Sequence, residues 1–378
     1  MYSDVKRSEI MPWILETERK LRAKMPLAVQ KAKVLDGIPY TVRNGKWQPG
    51  PMDGICWWTN GFWPGTMLQM YVMTGDVLYL QEAERCERLL DAAFLDFDHL
   101  HHDAGFMWRL SSAARYDLDP NDMSRKRALA AATLLAGRYN PLGFIRAWNG
   151  EHAGLAIIDT MMNLPLLYWA SRYTRDPRFG KIAMMHANTV IHCFVRADGS
   201  CHHIIKFDPD TLDILETPGG QGYAEGSAWS RGQGWALYGF ILSYRHTGKQ
   251  EYLNTAKAIA RFFLSHIGED GIPDADFRAP AEPVVKDNIA GSLAACGLLE
   301  IAKAVPEPEQ AVFFDGAVRL LQSMESADAD WSADSPAIFR RCTGAYHGER
   351  HRHCYMQYGD YFFIEAMNKL RGETYLFW

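Results

Sequence analysis

Apolar and polar positions along this chain follow a helical period, and the runs come in pairs. Ile10, Ile14, Leu21, Met25, Leu27 and Val29, with charges between them, predict a helix from Ser8 to about Lys33. The same periodicity predicts helices near 62–74, 77–94, 126–136, 152–174, 177–194, 230–246, 250–267, 287–304, 308–325 and 359–371. Residues 34–54 carry Gly37, Pro39, Gly45, Pro49, Gly50, Pro51 and Gly54 and read as a connecting loop. Pro165 has no N–H to give to a helix interior, so it either starts its helix or kinks it. Segments 198–226 and 327–358 lack a helical period, and 200–216 can hold a short hairpin.

The turns between paired runs align residue for residue. Thr74-Gly75-Asp76 is followed by Tyr79, Thr174-Arg175-Asp176 by Phe179, and Thr247-Gly248-Lys249 by Tyr252. The copies lie 174 − 74 = 100 and 247 − 174 = 73 residues apart, which leaves room for further hairpins between them. A single helical hairpin cannot bury its own apolar face, so repetition predicts hairpins stacked into a toroid or solenoid. The unusual polar residues gather at the openings of the runs, and that is where chemistry is sought.

Length, composition and charge narrow the picture. At 378 residues and 48% hydrophobic content the chain can bury a large core, and no composition shift divides it, so 1–378 reads as one domain. A net charge of −5 and a pI near 6.2 argue against a nucleic-acid or anionic-membrane surface. Seven cysteines without framework spacing read as free thiols in a reducing compartment. The N-terminus shows no apolar signal core, and no stretch approaches the roughly 20 apolar residues of a membrane span. The expectation is a soluble, cytoplasmic protein, periplasmic if a leader was removed. Of the 12 tryptophans, most are expected in the core and a minority around a pocket.

Four constellations could carry chemistry. Cys56 to Gly65 (CWWTNGFWPG) packs three tryptophans and a phenylalanine among glycines, as a stacking platform or a hydrophobic plug. His99 to Phe106 (HLHHDAGF) sets three histidines beside Asp103 on a turn. No second ligand pair with metal spacing accompanies them, so a carboxylate held by imidazoles suits acid–base or orienting work better than a metal site. Asp159 lies in the apolar stretch Ile157 to Ala170, where burial would raise its pKa, although an N-cap aspartate gives the same signal. In Gly219 to Tyr238, Ser230 is a candidate N-cap, and Arg231, Gln233 and Trp235 fall in the first turns of a helix, where an anion is favoured. Arg231 adds a bidentate partner for a carboxylate. A small acidic sugar satisfies all four.

WTNGFWPG, HHDAGF, IRAWN (Ile145–Asn149), DTMMNLPLLYWA, FDP (Phe207–Pro209), SRGQGWALYG, AACGLLE (Ala294–Glu300) and YGDYFFIEA (Tyr358–Ala366) occur in this order. Together they resemble the unsaturated glucuronyl hydrolases, glycoside hydrolase family 88, from about residue 35 to the C-terminus. The resemblance implies an all-α (α/α)6 barrel of six helical hairpins, working without metal or cofactor as a monomer or homodimer. It implies a glycosaminoglycan-type, lyase-generated oligosaccharide ending in a 4-deoxy uronic acid with a C4=C5 double bond, and neither nucleic acid nor membrane as partner. Asp159 then resembles the general acid/base and Asp103 the second essential carboxylate. Arg231 and Gln221 resemble residues near the uronate and the water, His203 a histidine of the site, and Trp58, Trp148, Trp235 and Tyr358 aromatic walls, with His102 beside Asp103. The basic segment Ala345 to His353 (AYHGERHRH) lies where the family contacts the next sugar, and it could meet a sulfate or a second uronate or be a solvated loop.

Two other classes fit parts of the pattern. Unsaturated rhamnogalacturonyl hydrolases of family 105 share the implied fold and aspartates. A sugar epimerase or isomerase could draw its acid and base from His101, His102, His152 and His203. A non-catalytic scaffold leaves Asp103, Asp159 and Arg231 unexplained.

Overall fold

The repeated Thr-x-x turns have a common structure. In the computed structural model, which describes residues 2–51, 54–150, 153–373 and 377–378, each threonine ends an inner helix. Its hydroxyl donates to the carbonyl four residues back at 2.7 Å, from Thr74 to Met70, Thr174 to Ala170 and Thr247 to Ser243. The same oxygen accepts the amide of Asp76, Asp176 or Lys249 at 3.1–3.2 Å. Between them Gly75, Arg175 and Gly248 take the left-handed conformation (φ 72°, 58° and 71°), which reverses the chain. Tyr79, Phe179 and Tyr252 are buried and fasten each outer helix to its partner.

Six such pairs form two concentric rings, an (α/α)6 barrel. The inner ring is Phe62–Thr74, then Ala104–Trp108 and Ala114–Leu118 joined by a π-turn over Arg109–Ala113, then Leu164–Thr174, Ser230–Thr247, Asn288–Ala304 and Gln357–Arg371. The last helix packs on the first and closes the ring. The outer helices are Val77–Leu90, Asp122–Ala136, Pro177–Cys193, Gln250–Ser265, Glu307–Asp328 and Met11–Ala32, the last packed on Gln357–Arg371. Inner helices are buried all round: every residue from Ser230 to Ser243 is inaccessible.

The strands are small. Ile204–Phe207 pairs antiparallel with Ile214–Glu216, the hairpin expected within 200–216, and also with Leu155–Ile157. That third strand corrects the helix expected over 152–174: Leu155–Ile157 is extended, Ile158–Met162 is a 3-10 turn, and the helix runs from Leu164, with Pro165 in its first turn. Asp159 therefore caps no helix. The long N-terminal helix divides into Tyr2–Glu9 and Met11–Ala32. Among the described residues no helix is long and apolar enough to cross a membrane, and all seven cysteines are free thiols.

Candidate active site

Each segment leading into an inner helix carries polar or aromatic residues, and all inner helices run the same way, so these openings meet at one end of the barrel. They enclose a cavity of about 390 Å³. Trp58 precedes the first inner helix, His101, His102 and Asp103 the second, Trp148, Ile157 and Asp159 the third and Gln221 the fourth, and all line the cavity with Trp57. Asp98, His99 and Asn149 are exposed and form its mouth, whereas Asp103 and Asp159 are 6% and 8% exposed at its floor. Three of the 12 tryptophans, Trp57, Trp58 and Trp148, face this space.

Asp103 is held from several sides. Asn163 donates from Nδ2 to its Oδ1 at 3.0 Å, His102 Nε2 stands 3.2 Å from the same oxygen, and His101 Nδ1 lies 3.3 Å from Oδ2. Burial raises the Asp103 pKa, while His101 and the Asn163 bond oppose the rise. His102 places its other nitrogen, Nδ1, 2.9 Å from the Ala147 carbonyl. A carbonyl only accepts, so Nδ1 carries the ring proton and Nε2 of the neutral ring offers a lone pair to Asp103. Burial pushes His101 down to about 4 and His102 to about 3, so both rings are neutral near pH 7.

Asp159 is in a different state. Its Oδ1 has no hydrogen-bond partner, and the nearest cation-forming group, His203 Nε2, is 3.8 Å away. Burial pushes the Asp159 carboxyl well above the ordinary aspartate value, and the Asp103 charge pushes it the same way, against a smaller pull from Arg231. Burial takes His203 down to about 4. Its ring lies on Trp229 at 4.2 Å, and its Nδ1 sits 3.0 Å from the Gly219 carbonyl and 3.2 Å from the Gln221 amide. One tautomer donates to Gly219 and turns the Nε2 lone pair toward Asp159; the other accepts from Gln221 and turns an N–H toward it, and at 3.8 Å neither is a hydrogen bond.

Asn163 was not among the sequence candidates. It accepts from Phe106 N at 2.7 Å, and its Nδ2 also lies 3.3 Å from the Asp159 carbonyl. One amide thus ties the loop of Asp103 to the turn of Asp159. Gly105 permits it: a Cβ there would stand 2.6 Å from Asn163 Cβ.

Four sequence expectations are met differently. Arg231 is fully buried and not free for a ligand: Nε lies 3.2 Å from Asp287 Oδ2, and the guanidinium also bonds Tyr358 Oη and the carbonyls of Thr343 and Gly344. It acts behind the wall, as a charge felt by Asp159. Tyr358 is buried too, edge-on beneath Trp58 at 5.0 Å. Trp235 is core rather than wall, fully buried against Phe106 and Phe362. Ser230 is not the N-cap of its helix; Trp229 occupies that position, and the Ser230 hydroxyl donates to the Ala275 carbonyl. Gln221 touches the basic segment, donating to Gly344 O at 3.2 Å and accepting from Tyr346 N at 2.9 Å.

His101, His102 and Asp103 bring their polar atoms within 4.8 Å of one another. His102 Nδ1 is committed to Ala147, and both rings stand within 3.3 Å of the Asp103 carboxyl, so the group surrounds Asp103. The epimerase reading fares poorly because burial makes His101, His102 and His203 weak bases. His152 lies outside the described residues.

No protein-family model matches the chain. The chain is 38% identical over 330 residues to the unsaturated glucuronyl hydrolase of Bacillus sp. (strain GL1), across 84% of this chain and 87% of that protein. It is 31% identical over 333 residues to the unsaturated chondroitin disaccharide hydrolase of Streptococcus pyogenes serotype M1, across 85% and 83%. The crystal structure of the Bacillus sp. GL1 enzyme, described as responsible for the degradation of glycosaminoglycan, superposes with a TM-score of 0.88 at 34% identity, covering 94% of this chain and 98% of that one.

Proposed function

The chain belongs to the unsaturated glucuronyl hydrolases, and from that premise we propose that Asp159 hydrates the C4=C5 double bond of an unsaturated uronate at the non-reducing end of a glycosaminoglycan-type oligosaccharide. The observation that carries this reading is a buried aspartic acid with an unpartnered oxygen at the floor of an aromatic-walled pocket. Ordinary glycoside hydrolysis uses two carboxylates flanking the glycosidic bond, one of which must be ionised to attack or to activate water there. A carboxyl that burial keeps protonated is suited instead to giving a proton to an enol-ether carbon.

The steps balance with one water. Asp159 protonates C4, and the positive charge at C5 is shared with the ring oxygen. Water adds to C5 while the Asp159 carboxylate takes a proton from it. The hemiketal opens by breaking the bond from C5 to the ring oxygen, C5 becomes a ketone, and C1 is left carrying both a hydroxyl and the departing sugar. Collapse to an aldehyde releases that sugar without attack at the anomeric carbon.

The surrounding groups divide the work. Asp103, whose ionised form is favoured by His101 and the Asn163 bond against the effect of burial, grips ring hydroxyls and, as a like charge, favours the protonated form of Asp159. His203 follows the proton on Asp159 by exchanging partners on the Gly219–Gln221 turn. Trp58 and Trp148 supply the flat faces, and Gln221 reaches the incoming water. Arg231 draws the Asp159 pKa back, so that the acid can be released and regained near neutrality.

Loss of ultraviolet absorbance from lyase-generated unsaturated disaccharides tests the proposal. The purified protein bleaches the substrate, and Asp159→Asn retains binding without turnover. A variant that kept the wild-type rate would refute the assignment of the acid.

A further inference from the structure

Gly219-Gly220-Gln221-Gly222 is a turn confined from two sides. Gly222 N donates to the Gly219 carbonyl at 3.0 Å and closes it. Gly220 has φ 58°, and a Cβ there would stand 2.4 Å from His203 Nδ1, while a Cβ at Gly222 would stand 2.7 Å from Asp276 Oδ2. The glycines that suggested an open anion site instead let the turn pass between an imidazole and a carboxylate. Between them Gln221 lines the pocket.

Asp276 is buried behind this turn. Its Oδ2 accepts from Tyr223 N at 2.9 Å and Ser227 Oγ at 2.6 Å, and its Oδ1 from Ala228 N at 3.1 Å and Arg278 N at 2.9 Å. Three of these donors belong to the loop that joins the turn to the inner helix Ser230–Thr247. Bonds to a carboxylate are stronger than bonds to a neutral acceptor, so one side chain fastens that loop at both ends. Asp276 is itself held: Ser230 N donates to Ala275 O at 3.0 Å and Phe277 N to Ala228 O at 2.9 Å, which pairs its strand with the opening of the helix. Resting on the functional reading above, we propose that Asp276 is a positioning residue for the hydration, setting the Gly219–Gly222 turn so that Gln221 meets the water that adds to C5. Gln221 donates through Nε2 to Gly344 O at 3.2 Å, which leaves Oε1 to accept from one O–H of that water while Asp159 takes the proton of the other. Asp276 acts on this amide through the backbone of Gly222 and Tyr223, as a fixed support outside the chemistry.

A double-mutant cycle with Gln221 tests the proposal. Asp276→Ala is expected to lower kcat on unsaturated disaccharide by about ten-fold, as a displaced orienting group does, with KM within about three-fold. In a Gln221→Ala background the same substitution should leave kcat nearly unchanged, because a residue acting through Gln221 has nothing left to position. Ser227→Ala removes one of the four donors and should lower kcat by about two-fold, again only where Gln221 is present. Urea unfolding shows which variants are folded, and if Asp276→Ala is not, the Ser227→Ala cycle decides. An equal loss of kcat with and without Gln221, or no loss in either single variant, would overturn the positioning role and leave the hydrolase reading intact. Wild-type protein that bleached no unsaturated disaccharide would overturn the hydrolase reading and this role with it.

Discussion

Replacing Asn163 with leucine preserves the outline of the side chain and removes its polar atoms, which makes it a sharp probe of how the two aspartates are held. Phe106 N–H, bonded at 2.7 Å, is left buried without an acceptor, at a cost of about 1–3 kcal/mol. Asp103 loses its 3.0 Å donor, a bond to a charged group worth about 1.5–3 kcal/mol. The 3.3 Å contact to Asp159 O is long and is given no weight. The two losses together amount to about 2.5–6 kcal/mol, a large share of the ~5–15 kcal/mol by which a domain is stable.

Catalysis should change with a separate signature. The Asn163 bond holds the Asp103 pKa down, so its removal raises that pKa. If turnover needs Asp103 ionised and Asp159 protonated, the acid limb of kcat/KM against pH moves to higher pH, and the basic limb, set by Asp159, moves less. Urea unfolding and the pH profile of absorbance loss measure the two effects independently. Wild-type stability, or lowered stability with an unmoved acid limb, would refute the reasoning.

Other expectations follow from the same contacts. Because the Asp159 pKa is raised in the folded protein, wild-type stability is lost as pH rises above about 3.9 towards the folded value; Asp159→Asn should therefore be the more stable protein near pH 7, with the gap in Tm closing towards pH 4. Arg231→Met strands the fully buried Asp287 and should cost about 3–5 kcal/mol in chemical unfolding, part of it recovered by adding Asp287→Asn; no recovery in the double variant would contradict the pairing. Gly105→Ala drives a methyl group against Asn163, backbone included, so it should lower Tm by several degrees and reduce kcat, and an unchanged melting curve would count against the tight crossing.

The hairpins were legible because the outer helices are amphipathic and the turn chemistry repeats: Thr74, Thr174 and Thr247 make the same pair of bonds. The inner helix over 104–118 escaped notice for the opposite reason. It is interrupted by a π-turn and buried almost throughout, so polar Arg109, Ser111 and Ser112 break no visible stripe. Within the helix expected over 152–174, residues 155–162 differ because an apolar run buried on every side has no period to distinguish strand from helix. Asp103 and Asp159 stood out as carboxylates in apolar company. Asn163 did not, since nothing local announces an amide that works across 60 residues. Arg231 misled for a related reason: glycines on both sides suggested an open anion site, whereas its partner Asp287 comes from a distant loop.

Everything proposed here requires Asp159 to hold its proton where ordinary aspartates have lost theirs. Carbon-13 NMR titration of carboxyl-labelled aspartates, with the Asp159 resonance assigned by its disappearance in Asp159→Asn, measures that directly. The account predicts a carboxyl that ionises well above the usual aspartate value, and at lower pH once Asp103→Asn removes the neighbouring charge. Ionisation at or below about 3.9, unaffected by Asp103, would contradict it.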